Sequence, residues 1–228
     1  MENKITDVFF DLDHTLWDFD KNSALTFDII LKKNNVEVDL DRFSEKYQPI
    51  NLKYWKLYRD EKVSKSNLRY GRLKETFDTL NMNVKDDVIN QLSIDYINNL
   101  TTYNHVFEGT IEILEYLKPK YKLHIITNGF EEVQQIKLEK SNISHFFDTV
   151  TSSEAVGVKK PNPKVFKHAL NIADTTKENS IMIGDNYEAD ILGALNVGID
   201  AICYNYHNVV LENKIKQVKH LLNLKEYL

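Results

Sequence analysis

Four short apolar runs, at residues 7–10, 123–126, 180–183 and 201–204, punctuate the chain. Each ends in polar or glycine-containing turn residues, and each reads as a buried strand. Helical spacing fills the intervals. Ile111, Leu114 and Leu117 recur every third residue, and the pattern stops near Pro119. Val165, Phe166, Ala169, Leu170 and Ala173 mark a second helical face, and Ile191, Ala194 and Leu195 a third. Gly198 suits the C-terminal cap of that third helix. Strands alternating with helices predict an α/β domain, a parallel sheet with helices on both faces. Such sheets bind ligands beyond the carboxyl ends of their strands.

The interval between the first two strands is far longer than a crossover helix needs. Trp55, Tyr58, Leu68, Leu73, Phe77 and Leu80 recur there at helical spacings, and no strand pattern interrupts them. The expected division is a core domain of residues 1–17 and 105–228 with an all-helical cap of residues 18–104. The tail, residues 208–228, is expected to form a polar loop and a final helix.

Length and composition limit the function classes. The chain has 228 residues, 42% hydrophobic and 28% charged, with 29 basic against 34 acidic side chains. A net charge of −5 argues against bulk binding to nucleic acid or membrane. It leaves room for a small anion in a local positive pocket. The single cysteine, Cys203, excludes an intrachain disulfide and reads as a buried structural residue. No signal peptide is visible, and no apolar stretch approaches the roughly 18–20 residues of a membrane helix. A cytoplasmic location is expected, as a monomer or homodimer.

The chemistry sits at the strand ends. The first run closes on Asp11-Leu12-Asp13-His14-Thr15. If the strand continues, alternation points Asp11 and Asp13 the same way. Two such charges about 4 Å apart repel by about 4 kcal/mol at an effective dielectric near 20. A hard divalent cation with oxygen ligands would offset that repulsion. Thr127-Asn128-Gly129 follows the second run and offers a hydroxyl, an amide and an unhindered N–H to an anion. Gly184-Asp185 follows the third, with Asp190 farther along; Asp190 either meets a helix N-terminus or helps ligation. Lys159-Lys160-Pro161-Asn162-Pro163 lies between these segments. Lys160, next to Pro161, is the lysine expected to point inward. Three carboxylates, one lysine and one Mg²⁺ approach neutrality, and magnesium combines carboxylates with a substrate phosphate.

These residues, in this order, resemble the haloacid dehalogenase-like hydrolase superfamily, in its helical-cap branch. The resemblance implies a Rossmann-like core with an inserted cap. It implies a Mg²⁺-dependent phosphatase working through an aspartyl-phosphate. Asp11 would be the nucleophile and Asp13 the general acid and base. Thr127, Asn128, Gly129 and Lys160 would bind the phosphoryl group. Asp11, Asp185 and the backbone carbonyl of Asp13 would hold magnesium, with Asp190 in support. Dehalogenating members lack an acid at the position of Asp13, which favours phosphate chemistry.

A narrower likeness is to bacterial pyrimidine 5′-nucleotidases, including those acting on noncanonical nucleotides. It rests on the stretches at 125–130, 134–139 and 154–158 and on Tyr70-Gly71-Arg72. The implied partner is a small phosphorylated metabolite, a nucleoside monophosphate. Arg69 and Arg72 could reach a substrate anion or base, and Trp55 and Tyr58 could stack on one; each could equally serve the cap's own packing. His14 reads as a loop residue. A sugar-phosphate or phosphoglycolate phosphatase, or a phosphoglucomutase, would keep the core residues and change the cap contacts. A phosphoacceptor signalling module would lack both Asp13 and the insertion. A silent scaffold would have no need of this acidic set.

Overall fold

The computed structural model describes residues 5–228. Two compact units emerge: the chain up to Asp18 together with Asn104–Leu228, and Phe19–Tyr103. The first unit is built on a six-stranded parallel sheet in the order β3-β2-β1-β4-β5-β6. Its strands are β1 (Asp7–Phe10), β2 (Lys122–Thr127), β3 (Thr149–Ser152), β4 (Ser180–Gly184), β5 (Asp200–Tyr204) and β6 (Lys216–Val218). In the second unit are α1 (Phe19–Lys33), α2 (Leu40–Arg59), α3 (Lys65–Thr79) and α4 (Asp86–Asn99). Around the sheet run α5 (Thr110–Leu117), α6 (Glu131–Lys140), α7 (Ser153–Val156), α8 (Pro163–Ala173) and α9 (Gly193–Val197).

β1 lies at the centre, with Phe10 in register with Ile125 on one side and Ile183 on the other. All four β1 residues are buried, as expected of a strand covered on both faces. Phe9, Ile126, Met182 and Cys203 pack with Val165, Phe166 and Ala169 of α8 and with Ala194 of α9. Val8 and Phe10 point to the opposite face and are fully buried too. The strand order reverses between β1 and β4, and a crevice beyond the strand ends is expected there.

The sequence pattern needs correction at the edges. β3 and β6 were not anticipated. Both are edge strands, with half-exposed or exposed residues and no apolar run. The tail holds β6 in addition to the expected final helix, which is a 3₁₀ helix at Leu221–Glu226. In α5 the buried positions are Ile113, Leu114 and Leu117, with Ile111 only half-buried. Leu195 is 39% exposed, so the third predicted face rests on Ile191 and Ala194. Gly198 does cap α9, at φ 87°.

The helical unit has its own core. Asp39 and Ser64 cap α2 and α3 by accepting from the backbone N–H of Arg42 and Asn67. Phe27 packs against Phe43, Tyr47 and Tyr96, with ring centroids 4.6–4.8 Å apart. Leu68, Leu73, Phe77 and Leu80 are buried as the spacing predicted. Trp55 and Tyr58 are only half-buried and meet edge to face. No helix among the described residues is long and apolar enough to cross a membrane.

Candidate active site

β1 ends at Phe10, one residue before the first aspartate. Asp11 N–H still continues the ladder, donating to Ile183 O at 2.9 Å. Asp13 has left the sheet and is bridged to Trp17 in a tight loop. The two carboxylates meet different lysines, and the Asp13 charge still acts on Asp11.

Asp11 meets Lys160. The Lys160 Nζ lies 2.6 Å from Asp11 Oδ1, 2.6 Å from Ile126 O and 2.7 Å from Asp190 Oδ1. The first two contacts are hydrogen bonds, and the third is an ion pair. The backbone of Lys160 is held as firmly. Asn128 Oδ1 accepts from its N–H at 2.8 Å, and Asn128 Nδ2 donates to its carbonyl at 3.0 Å. Asp190 stands in a π-helical turn, Tyr187–Leu192, a widened geometry often found at functional positions. Its Oδ2 accepts from Asn186 N–H at 3.0 Å. Gly184 makes room for it: a Cβ there would come within 2.4 Å of Asp190 Oδ2.

Asp185 completes the cluster. It shares two hydrogen bonds with Thr15, which is fully buried: Thr15 Oγ1 donates to Asp185 Oδ1 at 3.3 Å and accepts from Asp185 N–H at 3.1 Å. Oxygens of Asp11, Asp185 and Asp190 all lie within 4.8 Å of one another. Burial raises the Asp11 carboxyl to about 7, with Lys160 pulling it down and Asp190 pushing it up. Burial also raises Asp185 well above the carboxylate range, reinforced by Asp190 and Asp11. For Lys160, burial opposes the charge, but Asp11 and Asp190 outweigh it and raise its pKa. Three carboxylates against one ammonium leave excess negative charge in a dry place. An oxygen-only donor set with that surplus fits a hard divalent cation. Cys203 lies beside this set, with its thiol pushed up to about 12 by burial.

Asp13 has a separate environment. Lys137 Nζ donates to its Oδ1 at 2.5 Å, and Gln134 Nε2 to its Oδ2 at 3.1 Å. Lys137 also sits over the Trp17 ring, 4.3 Å from its centroid, a favourable place for a desolvated cation. Gln134 Nε2 reaches Thr127 Oγ1 at 2.6 Å, and Gly129 N–H reaches the same oxygen at 3.0 Å. A Cβ on Gly129 would meet Gln134 Nε2 at 2.2 Å, so only glycine admits this approach.

Asp11, Lys160, Asp185 and Asp190 thus gather in one cluster, and Asp13, Thr127 and Gly129 in an adjoining one. The Asn128 side chain clamps the Lys160 backbone. Arg72 lies in the helical unit, 2% exposed. Its guanidinium donates to Asn51 Oδ1 at 2.8 Å and stacks over Tyr96 at 4.8 Å, a packing role within that unit. His14, at φ 64°, contacts the Tyr206 hydroxyl through Nδ1 at 2.7 Å. From sequence, the 134–139 stretch entered only as a likeness to nucleotidases, and Gln134 and Lys137 were given no place in the site. The signal was present: positions 133, 134, 137 and 138 form one inward stripe, shared with Val133 and Leu138.

The haloacid dehalogenase-like hydrolase model matches residues 8–204. The chain belongs to this family. It is 32% identical to pyrimidine 5′-nucleotidase YjjG of Escherichia coli K12, over 88% of this chain and 86% of that one. It is 35% identical to a glyceraldehyde 3-phosphate phosphatase of Methanothermobacter thermautotrophicus, over 87% and 84%. A crystal structure of YfnB from Bacillus subtilis, bound to magnesium, superposes with a TM-score of 0.87 at 23% identity, covering 98% of each chain. That last likeness establishes the fold.

Proposed function

We propose that this hydrolase is a magnesium-dependent phosphatase of small phosphate monoesters, acting on pyrimidine nucleoside 5′-monophosphates through an aspartyl-phosphate. The observation that carries the reading is the separate setting of Asp11 and Asp13. One carboxylate lies against Lys160 in a buried acidic cluster; the other lies on its own lysine and amide. Two carboxylates in different surroundings can take different roles.

In this reading an Asp11 oxygen attacks phosphorus while the bond to the leaving oxygen breaks. Asp13 hands that oxygen a proton. Asp13 then takes a proton from the water that attacks the phosphoenzyme, releasing inorganic phosphate and restoring Asp11. Thr127 has a strong reason to donate to the phosphoryl group. A hydroxyl has two acceptor positions and one proton, and Gly129 and Gln134 already fill the acceptor side. The Lys160 ammonium stays beside Asp11 as charge builds on the phosphoryl oxygens. Magnesium, held by Asp11, Asp185 and the carbonyl of Asp13, would supply further positive charge there. We read the helical unit as the family's substrate-selecting cap, and the protein as cytoplasmic.

The substrate class draws support from the likeness to YjjG. The likeness to glyceraldehyde 3-phosphate phosphatase favours a sugar phosphate as the second reading. Phosphate release from a panel of nucleoside monophosphates and sugar phosphates decides between them. Assays run with magnesium and with EDTA, and Asp11→Asn is the control. Preference for pyrimidine nucleotides supports the first reading. Turnover of sugar phosphates alone keeps the mechanism and transfers the substrate class. No release from any compound overturns the phosphatase reading.

A further inference from the structure

The Asp13 contacts carry an inference that deepens the phosphatase reading and rests on it. We propose that Gln134 and Lys137 of α6 are positioning residues for the leaving-group step, aiming Asp13 and committing the Thr127 proton outward.

Each Asp13 oxygen has one donor from α6, Lys137 on Oδ1 and Gln134 on Oδ2. A carboxylate held at both oxygens cannot rotate about its terminal torsion, which is otherwise broad. The donors are themselves held. The Lys137 side chain is 2% exposed and lies over the Trp17 ring. Gln134 is also 2% exposed and is wedged against Gly129. Its amide nitrogen faces both Asp13 Oδ2 and Thr127 Oγ1.

A fully buried lysine on a helix otherwise lined with Val133 and Leu138 has no packing justification. Methionine or leucine would fill the space without desolvating a charge. Gln134 adds a coupling. The same Nε2 touches Asp13 and Thr127, so one amide sets both the group that moves the leaving-group proton and the hydroxyl facing the phosphoryl group. A displacement of about 1 Å in such a pair costs on the order of a hundredfold in rate.

The test compares leaving groups. A nucleoside alkoxide needs a proton as it departs; p-nitrophenolate departs as a stable anion. kcat/KM reports steps through formation of the phosphoenzyme, where they differ. Lys137→Met should lose about a hundredfold in kcat/KM on the alkyl ester and stay within about threefold on p-nitrophenyl phosphate, with the alkyl-ester KM barely changed. Gln134→Leu also releases Thr127, so it should lose on both esters but more steeply on the alkyl one. Lys137→Arg should restore much of the alkyl-ester activity. Equal losses on both esters, or no loss on either, overturn the inference. A variant that does not fold is set aside by its melting curve, and the other variant decides. A wild-type chain inactive on both esters overturns the phosphatase reading itself, and the inference with it.

Discussion

Asp7 and Asp11 close the two ends of the same central strand, and both are buried. At the N-terminal end, Asp7 Oδ1 accepts from His124 Nε2 at 3.0 Å, and its Oδ2 accepts from Thr6 at 2.6 Å and Thr175 at 2.8 Å. His124 Nδ1 lies 2.9 Å from the Thr149 hydroxyl, and burial lowers the imidazole pKa, which favours the neutral ring. That network pairs one carboxylate with an imidazole and two hydroxyls. At the other end, Asp11 shares one lysine with Asp190 and lies close to Asp185. Both carboxylates are buried, but only the second shares its cation with other carboxylates. Burial of a carboxylate is therefore no sign of function in itself. Unbalanced charge among buried groups is the better sign.

The largest way to break this contrast is Asp11→Asn. Phosphate release should fall by on the order of 10⁴-fold or more, as for loss of a nucleophile. The melting temperature in EDTA should stay level or rise, because one crowded charge is gone. A marked drop in stability would make Asp11 structural, like Asp7. Magnesium sharpens the same point. At about a hundredfold excess over Kd it should stabilise the wild-type chain by about 2.7 kcal/mol, and Asp185→Asn should lose that gain. Equal stabilisation of both proteins would remove Asp185 from the metal site.

Asp7→Ala should do the reverse of Asp11→Asn. It strands His124 and two hydroxyls and should lower stability by about 2 kcal/mol in urea titrations, with kcat unchanged. A large loss of activity without unfolding would contradict the division between the two ends. The smallest effect is a pH dependence. Burial lowers the His124 pKa below its ordinary 6.5, against the pull of Asp7. The unfolded chain then binds a proton that the folded chain refuses. Stability from this site is complete above 6.5 and is lost as the pH falls toward the folded value. Unfolding free energies at about pH 7.5 and 5.5 should differ less in His124→Gln than in wild type. An identical difference would remove His124 as the source.

Much of the site was legible because its groups follow apolar runs. Asp11, Thr127 and Asp185 each come where a buried strand stops, so local pattern alone located them. Lys160 was legible through its neighbour Pro161. Lys137 and Gln134 were not. They occupy an ordinary helix rich in Glu, Gln and Lys, where such residues usually face water. Their environment comes from Trp17, Asp13 and Thr127, which are distant in sequence. The edge strands β3 and β6 were missed for a related reason. Half-exposed pairing needs no apolar run, only a neighbour that offers a free ladder.

The sequence by itself determined the parallel sheet, the inserted helical segment and the order of the acidic, hydroxyl and lysine groups. These are local matters of periodicity and punctuation, set by burial on one face or two. The tertiary structure decided which carboxylate met which cation. α6 and the segment before α8 each bring one buried lysine to the carboxylates that follow β1, Lys137 to Asp13 and Lys160 to Asp11. Pairing of that kind depends on distances between remote segments, and no spacing along the chain encodes it.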